Sequence, residues 1–261
     1  MDQDARIDKT SDVEMKKMEQ KLVDKVAMGG AEKGDDLSEP AALAKYMDHT
    51  QLMPDALDSA FDKLCDEAKK WGFKSVCING SRVKYCARLL QGTDVKLCAV
   101  IGFPLGQADS RVKAFEAQCC IEDGCNEIDM VINVGQLKSG NLKYVEDDIR
   151  TVKSAMRTDG LLKVIIETSL LTDEEKVLAC QISKRAGADF VKTCTGFSGG
   201  GATPDDIALM RRTVGPEMGI KASGGVRNYP RAVQLIAAGA NRLGAVSSVA
   251  IVTGQEGEGG Y

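Results

Sequence analysis

The sequence predicts a parallel (β/α)8 barrel, the TIM-barrel architecture, preceded by one extra N-terminal helix. From residue 41 onward a short apolar run, a polar or glycine-rich turn and a helix with an apolar stripe follow one another repeatedly. The pattern occurs eight times, and eight parallel strands joined by helical crossovers can close into a barrel. Related turns also recur at 123–128, 186–191 and 238–243, where a helix-ending glycine stands two residues before Asp or Asn.

Eight apolar runs are the predicted strands. A glycine-rich turn at 102–110 follows the third of them, but it lacks the spacing of a dinucleotide-binding fingerprint, which disfavours an open doubly wound sheet. The predicted strands are residues 45–49, 75–79, 96–103, 127–134, 161–168, 190–196, 219–224 and 242–247.

The helices between these runs carry recognisable ends. An apolar stripe from Leu57 to Trp71 ends at Gly72, and Thr172 with Glu175 has the spacing of a capping box. Thr203 and Asn228 each precede a proline-containing helix start, as N-cap residues do.

The two ends of the chain differ from the repeating part. Residues 12–27 place apolar side chains at helical spacing among charges, and a polar, glycine- and acid-rich linker follows them. The predicted division is an N-terminal helix and linker at 1–40, a barrel at 41–253 and a flexible tail at 254–261.

Composition excludes several classes of function. The 261 residues are 43% hydrophobic and carry a formal net charge of −4, which does not favour binding to nucleic acid or to an anionic membrane. Nine cysteines are scattered without a disulfide-like pattern, and the chain shows neither a signal-type N-terminus nor a long apolar segment. A cytoplasmic protein is therefore expected.

Five charged residues are predicted to face the interior of the barrel. Side chains alternate along a strand, and the apolar members of each run suit the layer beneath the helices. The charged members then point inward. They are Asp48, Asp129, Lys163, Lys192 and Lys221, on the first, fourth, fifth, sixth and seventh strands.

Two interpretations fit such a cluster. It is either a buried salt-bridge network that fixes strand register or an active site, because isolated buried charges are costly unless they are paired. With His49 as its only histidine, the chain cannot build a histidine-based metal centre, and its cysteines lack the close paired spacing of a zinc motif. Amine chemistry remains: burial and the charge of Lys221 would both favour the neutral, nucleophilic amine of Lys192.

Loops after the last three strands are rich in glycine and hydroxyl groups. They lie at 198–201, 223–227 and 244–248, at the end of a barrel where phosphate sites often form. Together they predict a phosphorylated small-molecule substrate.

The sequence resembles the deoxyribose-phosphate aldolases, a family of class I aldolases with a barrel fold. The resemblance extends from about residue 43 to 261, and its motifs occur in the family's order. They are "MDHTQL" at 47–52, "VIGFPLG" at 100–106, "GCNEIDMVINVG" at 124–135, "LKVIIET" at 162–168, "DFVKTCTGF" at 189–197 and "IKASGGVR" at 220–227.

The resemblance implies reversible cleavage of 2-deoxy-D-ribose 5-phosphate to acetaldehyde and D-glyceraldehyde 3-phosphate, in deoxynucleoside catabolism, with neither a metal nor an organic cofactor. It implies that Lys192 forms the Schiff base, that Lys221 favours the neutral form of that amine and that Asp129 moves protons. Lys163 and Asp48 would support this proton network. Tyr261 is either the proton donor to the enamine or part of a frayed terminus. The predicted substrate and phosphate contacts are Thr195, Gly196, Gly224, Gly225, Val226, Arg227, Gly244 and Ser247.

Two positions depart from what the family often shows. Val246 stands where the first of two adjacent serines often follows the strand-8 glycine, and Phe197 stands where some members have a lysine. These departures leave open a related lysine aldolase with another acceptor aldehyde. A barrel that binds a sugar phosphate or a protein partner without catalysis is the alternative outside enzymology, and a homodimer is a possible assembly.

Overall fold

The computed structural model describes Gly30 and residues 35–156 and 158–257. The predicted N-terminal helix at 12–27 and Tyr261 lie outside the described residues. Among the described residues, no helix has the length and apolar character needed to cross a membrane.

Eight parallel strands form a closed barrel in which each strand pairs with the next and the last pairs with the first. All eight predicted strands are confirmed, and so is the barrel. The strands are β1 Met47–Gln51, β2 Ser75–Asn79, β3 Lys96–Ile101, β4 Glu127–Val131, β5 Leu161–Ile165, β6 Phe190–Lys192, β7 Gly219–Ser223 and β8 Arg242–Ala245.

Several strands are shorter than predicted. The first keeps its predicted length but begins two residues later, at Met47, because Pro40–Tyr46 forms a 3-10 helix with a proline in its first turn. The sixth ends at Lys192. Beyond it, the backbone N–H of Thr195 points to the Glu167 carboxylate and not to a neighbouring strand.

Helices connect the strands on the outside of the barrel. Gly72 ends the first with a φ of 66°, and both halves of the Thr172–Glu175 capping box are formed. The predicted caps Thr203 and Asn228 also accept backbone hydrogen bonds. The helices are α1 Asp58–Trp71, α2 Val83–Leu89, α3 Ser110–Glu122, α4 Val134–Lys138, α5 Leu142–Ala155, α6 Asp173–Arg185, α7 Pro204–Val214, α8 Tyr229–Ala238 and α9 Ser248–Val252.

The main hydrophobic core lies between the barrel and the helices. Ile128 and Met130 of β4 belong to it, whereas Asp129 between them faces the barrel interior and contacts Cys98. The interior holds a smaller apolar cluster of Leu52, Cys77, Cys98 and Val100. The predicted inward direction of the charged residues is therefore confirmed, and they share the barrel interior with this small apolar cluster.

His49 faces outward from β1. Its Nε2 lies 2.9 Å from the Glu67 carboxylate of α1, and its ring packs against Phe73. His49 therefore joins β1 to α1 and lies away from the charged interior.

Candidate active site

Asp129 is the centre of the charged cluster inside the barrel. Its Oδ1 accepts a hydrogen bond from Lys163 Nζ at 2.8 Å. Its Oδ2 accepts from both Lys192 Nζ at 2.8 Å and Lys221 Nζ at 2.7 Å. The last two nitrogens can therefore be no further apart than the sum of those two distances, and the predicted convergence of the three lysines is confirmed.

Strand register places these groups. Asp129 is the partner of Lys163 between β4 and β5, and Lys192 is the partner of Lys221 between β6 and β7. Because a slip of one residue would turn each side chain to the helix layer, the hydrophobic alternation of the strands fixes the cluster.

A second group of charges joins the first. Asp48 Oδ2 lies 2.6 Å from Lys221 Nζ, and its Oδ1 accepts from Arg242 Nε at 2.7 Å. Glu127 Oε2 lies 2.6 Å from Lys163 Nζ and 2.8 Å from an Arg242 nitrogen. All of these side chains are buried.

Arg242 and Glu127 were not among the predicted site residues. The signal for Glu127 was available, because it stands two positions before Asp129 and must face the same way. Arg242 stands at the first position of β8, where a charged residue is usually taken for the end of a loop.

Burial and neighbouring charges shift the pKa values of this cluster in opposite directions. Burial alone would raise the pKa of Asp129, but the charges of Lys163, Lys192 and Lys221 hold it well below its usual value. Burial alone would lower the pKa of Lys221, but Asp129 and Asp48 outweigh it and raise that pKa. Lys221 is thus a cation at neutral pH, beside Lys192.

An open cleft at the carboxyl end of the strands reaches this cluster. Lys192 lines it, whereas Lys163 and Lys221 are fully buried beneath. All eight predicted substrate and phosphate contacts also line it, namely Thr195, Gly196, Gly224, Gly225, Val226, Arg227, Gly244 and Ser247.

The turn after β7 depends on glycine. Gly224 and Gly225 have φ values of 87° and 72°, in the left-handed region that other residues seldom adopt. A Cβ on the facing residue Gly201 would lie 2.5 Å from the Gly224 carbonyl oxygen. The small residues therefore let the loops after β6 and β7 approach each other beside the cleft.

Glu167 is a further site residue that sequence reasoning missed. It is buried just after β5 and is the one described non-glycine residue with a positive φ, at 57°. Its carboxylate accepts hydrogen bonds from Thr195 Oγ1 at 2.6 Å and Ser198 Oγ at 3.2 Å. Strained backbone of this kind persists where surrounding contacts impose it, and here the contacts fix the loop after β6, whose Thr195 and Gly196 line the cleft.

The described start of the predicted tail lies beside the cleft. The Gly257 N–H donates to the Arg227 carbonyl oxygen at 2.9 Å, and Glu256 accepts from the Asn228 side chain at 2.8 Å. A Cβ at Gly257 would lie 2.2 Å from the Cβ of Ser247. The chain therefore leads from the barrel toward its C-terminus across two loops that line the cleft.

Comparisons with known proteins agree with this architecture and cluster. The family model described as DeoC/LacD family aldolase matches residues 42–254. A deoxyribose-phosphate aldolase of Streptococcus gordonii is 59% identical over 219 residues, covering 84% of this chain and 99% of that protein. Deoxyribose-phosphate aldolase 1 of Oceanobacillus iheyensis is 58% identical over 219 residues, with the same coverage.

A solved structure is similar over most of the chain. The tetrameric deoxyribose phosphate aldolase from Aeropyrum pernix matches with a TM-score of 0.79 and 35% identity, covering 89% of this chain and 95% of that one. With the family model matching most of the chain and the curated relatives matching nearly over their whole lengths, the chain belongs to the DeoC/LacD family of aldolases.

Proposed function

We propose that this chain is a class I aldolase that reversibly cleaves 2-deoxy-D-ribose 5-phosphate to acetaldehyde and D-glyceraldehyde 3-phosphate. The observation that carries the proposal is the Lys192 amine at the floor of the cleft, sharing one carboxylate oxygen with the cation Lys221. The relatives named deoxyribose-phosphate aldolase support the choice of substrate.

Position in the cleft supports Lys192 as the nucleophile. Four buried cations, Lys163, Lys192, Lys221 and Arg242, meet three buried carboxylates, Asp48, Glu127 and Asp129. The ion pairs between them leave Lys163, Lys221 and Arg242 fully or almost fully enclosed. Because Lys192 alone among these lysines lines the cleft, its amine is the one that a substrate aldehyde can reach.

The proposed reaction begins when the Lys192 amine attacks C1 of the sugar aldehyde and water leaves to give a protonated imine. Removal of the C3 hydroxyl proton then breaks the C2–C3 bond, and the electron pair moves to the imine to give an enamine. D-Glyceraldehyde 3-phosphate leaves, C2 is protonated, and hydrolysis returns acetaldehyde and the free amine.

Asp129 is placed to serve the proton transfers. It touches Lys192 directly, and Lys163 and Lys221 keep its carboxylate ionised. We propose that it relays protons through water between the substrate and the amine. Asp48 would hold Lys221, and Lys163 would hold Asp129, as supporting members of the network.

Borohydride trapping tests the Schiff base. Incubating the protein with the sugar phosphate and borohydride should reduce the imine to a stable secondary amine, which mass spectrometry should locate on Lys192. An adduct on another lysine would exclude Lys192 as the nucleophile. If no adduct forms although the sugar phosphate binds, the barrel is a binding protein and not an aldolase.

Phosphate recognition separates two candidate aldolases. Arg227 is exposed at the cleft and gives a cation for a phosphate group, whereas Val246, which also lines the cleft, is apolar. Phe197 lines a different pocket, where its ring packs against Phe103. Since a hydrogen bond to a charged group contributes about 1.5–3 kcal/mol, Arg227→Gln is expected to raise KM for the phosphorylated sugar roughly 10- to 100-fold. KM for unphosphorylated deoxyribose should hardly change. Equal KM values for both sugars in the unaltered protein would favour an aldolase with another acceptor.

Removal of Tyr261 tests the role of the C-terminus. Because Gly257 lies against loops of the cleft, we propose that Tyr261 donates the proton to C2 of the enamine. Deleting it should slow uptake of solvent deuterium into the acetaldehyde methyl group by about 10²-fold, within the range of general acid catalysis. Release of D-glyceraldehyde 3-phosphate in a single turnover should change little. Equal slowing of both steps would remove Tyr261 from this role.

We also propose that the chain acts in the cytoplasm and self-associates as a homodimer. All nine cysteines are free, as is usual in a reducing compartment. The tetrameric assembly of the Aeropyrum pernix enzyme supports self-association. Light scattering of the purified chain would give its assembly state.

A further inference from the structure

Two cysteines lie beside Asp129 and take no part in the proposed reaction. Cys77 on β2 and Cys98 on β3 are partners in strand register, and both are completely buried. The Cys98 sulfur lies 3.1 Å from Asp129 Oδ1, and the Cys77 sulfur lies 4.0 Å from Oδ2. The two sulfurs and a carboxylate oxygen all lie within 4.8 Å of one another.

This arrangement matches the donors and spacing that a thiophilic cation requires. Zn²⁺ binds thiolates at about 2.3 Å and carboxylates at about 2.0–2.2 Å, so tetrahedral ligands lie roughly 3.5–3.8 Å from one another. The observed sulfur–oxygen distances fall on both sides of that range. We propose that Cys77, Cys98 and Asp129 form an inhibitory site for a thiophilic divalent cation, such as Zn²⁺ or Cd²⁺.

The charge of the site permits such binding. A divalent cation brings two positive charges, and two bound thiolates, having lost their protons, bring two negative charges. Binding therefore adds no net charge to the interior of the barrel, which avoids the large cost of a buried uncompensated ion. Release of two protons per cation makes the affinity rise with pH.

Occupancy would disturb the amines. The Cys98 sulfur lies 3.3 Å from Lys163 Nζ, and the proposed ligand Asp129 is the acceptor for Lys163, Lys192 and Lys221. A cation bound to the Asp129 carboxylate withdraws electron density from its oxygens, which weakens the hydrogen bonds that they accept from these amines. Bound cation is therefore expected to repel the lysines and to stop Asp129 from moving protons.

Cadmium titration of the reduced, full-length chain tests the binding. Cd²⁺ should produce ultraviolet thiolate-to-metal absorption that saturates at one ion per chain, with release of two protons. Cys77→Ser and Cys98→Ala should each weaken the affinity at least about 10-fold. A matched control is Cys65→Ala, since Cys65 belongs to a second buried thiol pair, with Cys86, in the helix-facing core. Loss of the signal in the control, or its retention in Cys98→Ala, would overturn the proposal.

A measurement on the unaltered chain tests the site even if the cysteine variants fail to fold. X-ray absorption of the zinc-loaded protein should show two sulfur neighbours together with oxygen, and a shell without sulfur or with sulfur alone would overturn the site.

The inhibitory part of the proposal rests on the proposed function. One bound Cd²⁺ should suppress borohydride trapping on Lys192 in the unaltered chain. Tight binding without suppression would leave a metal site that does not inhibit, whereas a lack of trapping in metal-free protein would count against the aldolase itself.

Discussion

Lys192→Ala is expected to lower kcat/KM for deoxyribose 5-phosphate by about 10⁴-fold or more, because it removes the atom that forms the covalent intermediate. No other cluster amine lines the cleft, since Lys163 and Lys221 are fully buried. The measurement is the rate of acetaldehyde formation, followed with a coupled reductase. Substrate-dependent borohydride trapping should also disappear.

The matched control is Lys96→Ala, which removes an exposed lysine at the start of β3. It should retain full activity and full trapping on Lys192. If Lys192→Ala retained a tenth of the activity, the covalent mechanism would be wrong. A normal melting temperature in Lys192→Ala would show that any loss belongs to the chemistry and not to folding.

The sequence was sufficient to predict much of this site because two patterns reinforce each other. One is the alternation of side chains along each strand, and the other is the eightfold repeat of strand and helix. Alternating apolar residues in β4 assign Ile128 and Met130 to the helix layer, which leaves Asp129 only the interior. The same rule orients Lys163, Lys192 and Lys221. Once eight strands close into a barrel, inward-facing side chains from different strands must meet, so convergence follows from topology.

Other features depend on tertiary geometry that no local pattern encodes. The positive φ of Glu167 is imposed by contacts with Thr195 and Ser198, residues of a different loop. Cys77 and Cys98 come together only because β2 and β3 pair in this register. Spacing along the chain is a poor guide to a ligand set whose members lie on separate strands.

Asp129→Asn is expected to lower both activity and stability. The carboxylate lies within 2.8 Å of the amine nitrogens of three buried lysines, and removing one partner of a buried ion pair typically destabilises a protein by about 3–5 kcal/mol. The amide keeps the size of the side chain but not its charge. Urea unfolding at pH 7 should show the loss in free energy of unfolding, and kcat should fall about 10²- to 10⁴-fold, as expected for loss of an acid–base group.

The difference in free energy of unfolding between the unaltered protein and Asp129→Asn should depend on pH. That dependence separates the contribution of the Asp129 charge from the contribution of its packing. The pKa of Asp129 is depressed in the folded protein and is about 3.9 when unfolded, so its stabilising charge is fully present above about pH 5. As the pH falls below that value, the unfolded chain binds the proton first, and the advantage of the unaltered protein over Asp129→Asn should shrink. Asp94→Asn, which removes an exposed carboxylate, should match the unaltered protein throughout. A stability gap that stayed constant from pH 7 to pH 3 would mean that Asp129 contributes through shape and hydrogen bonding alone, and its charge could then not be what holds the three lysines together.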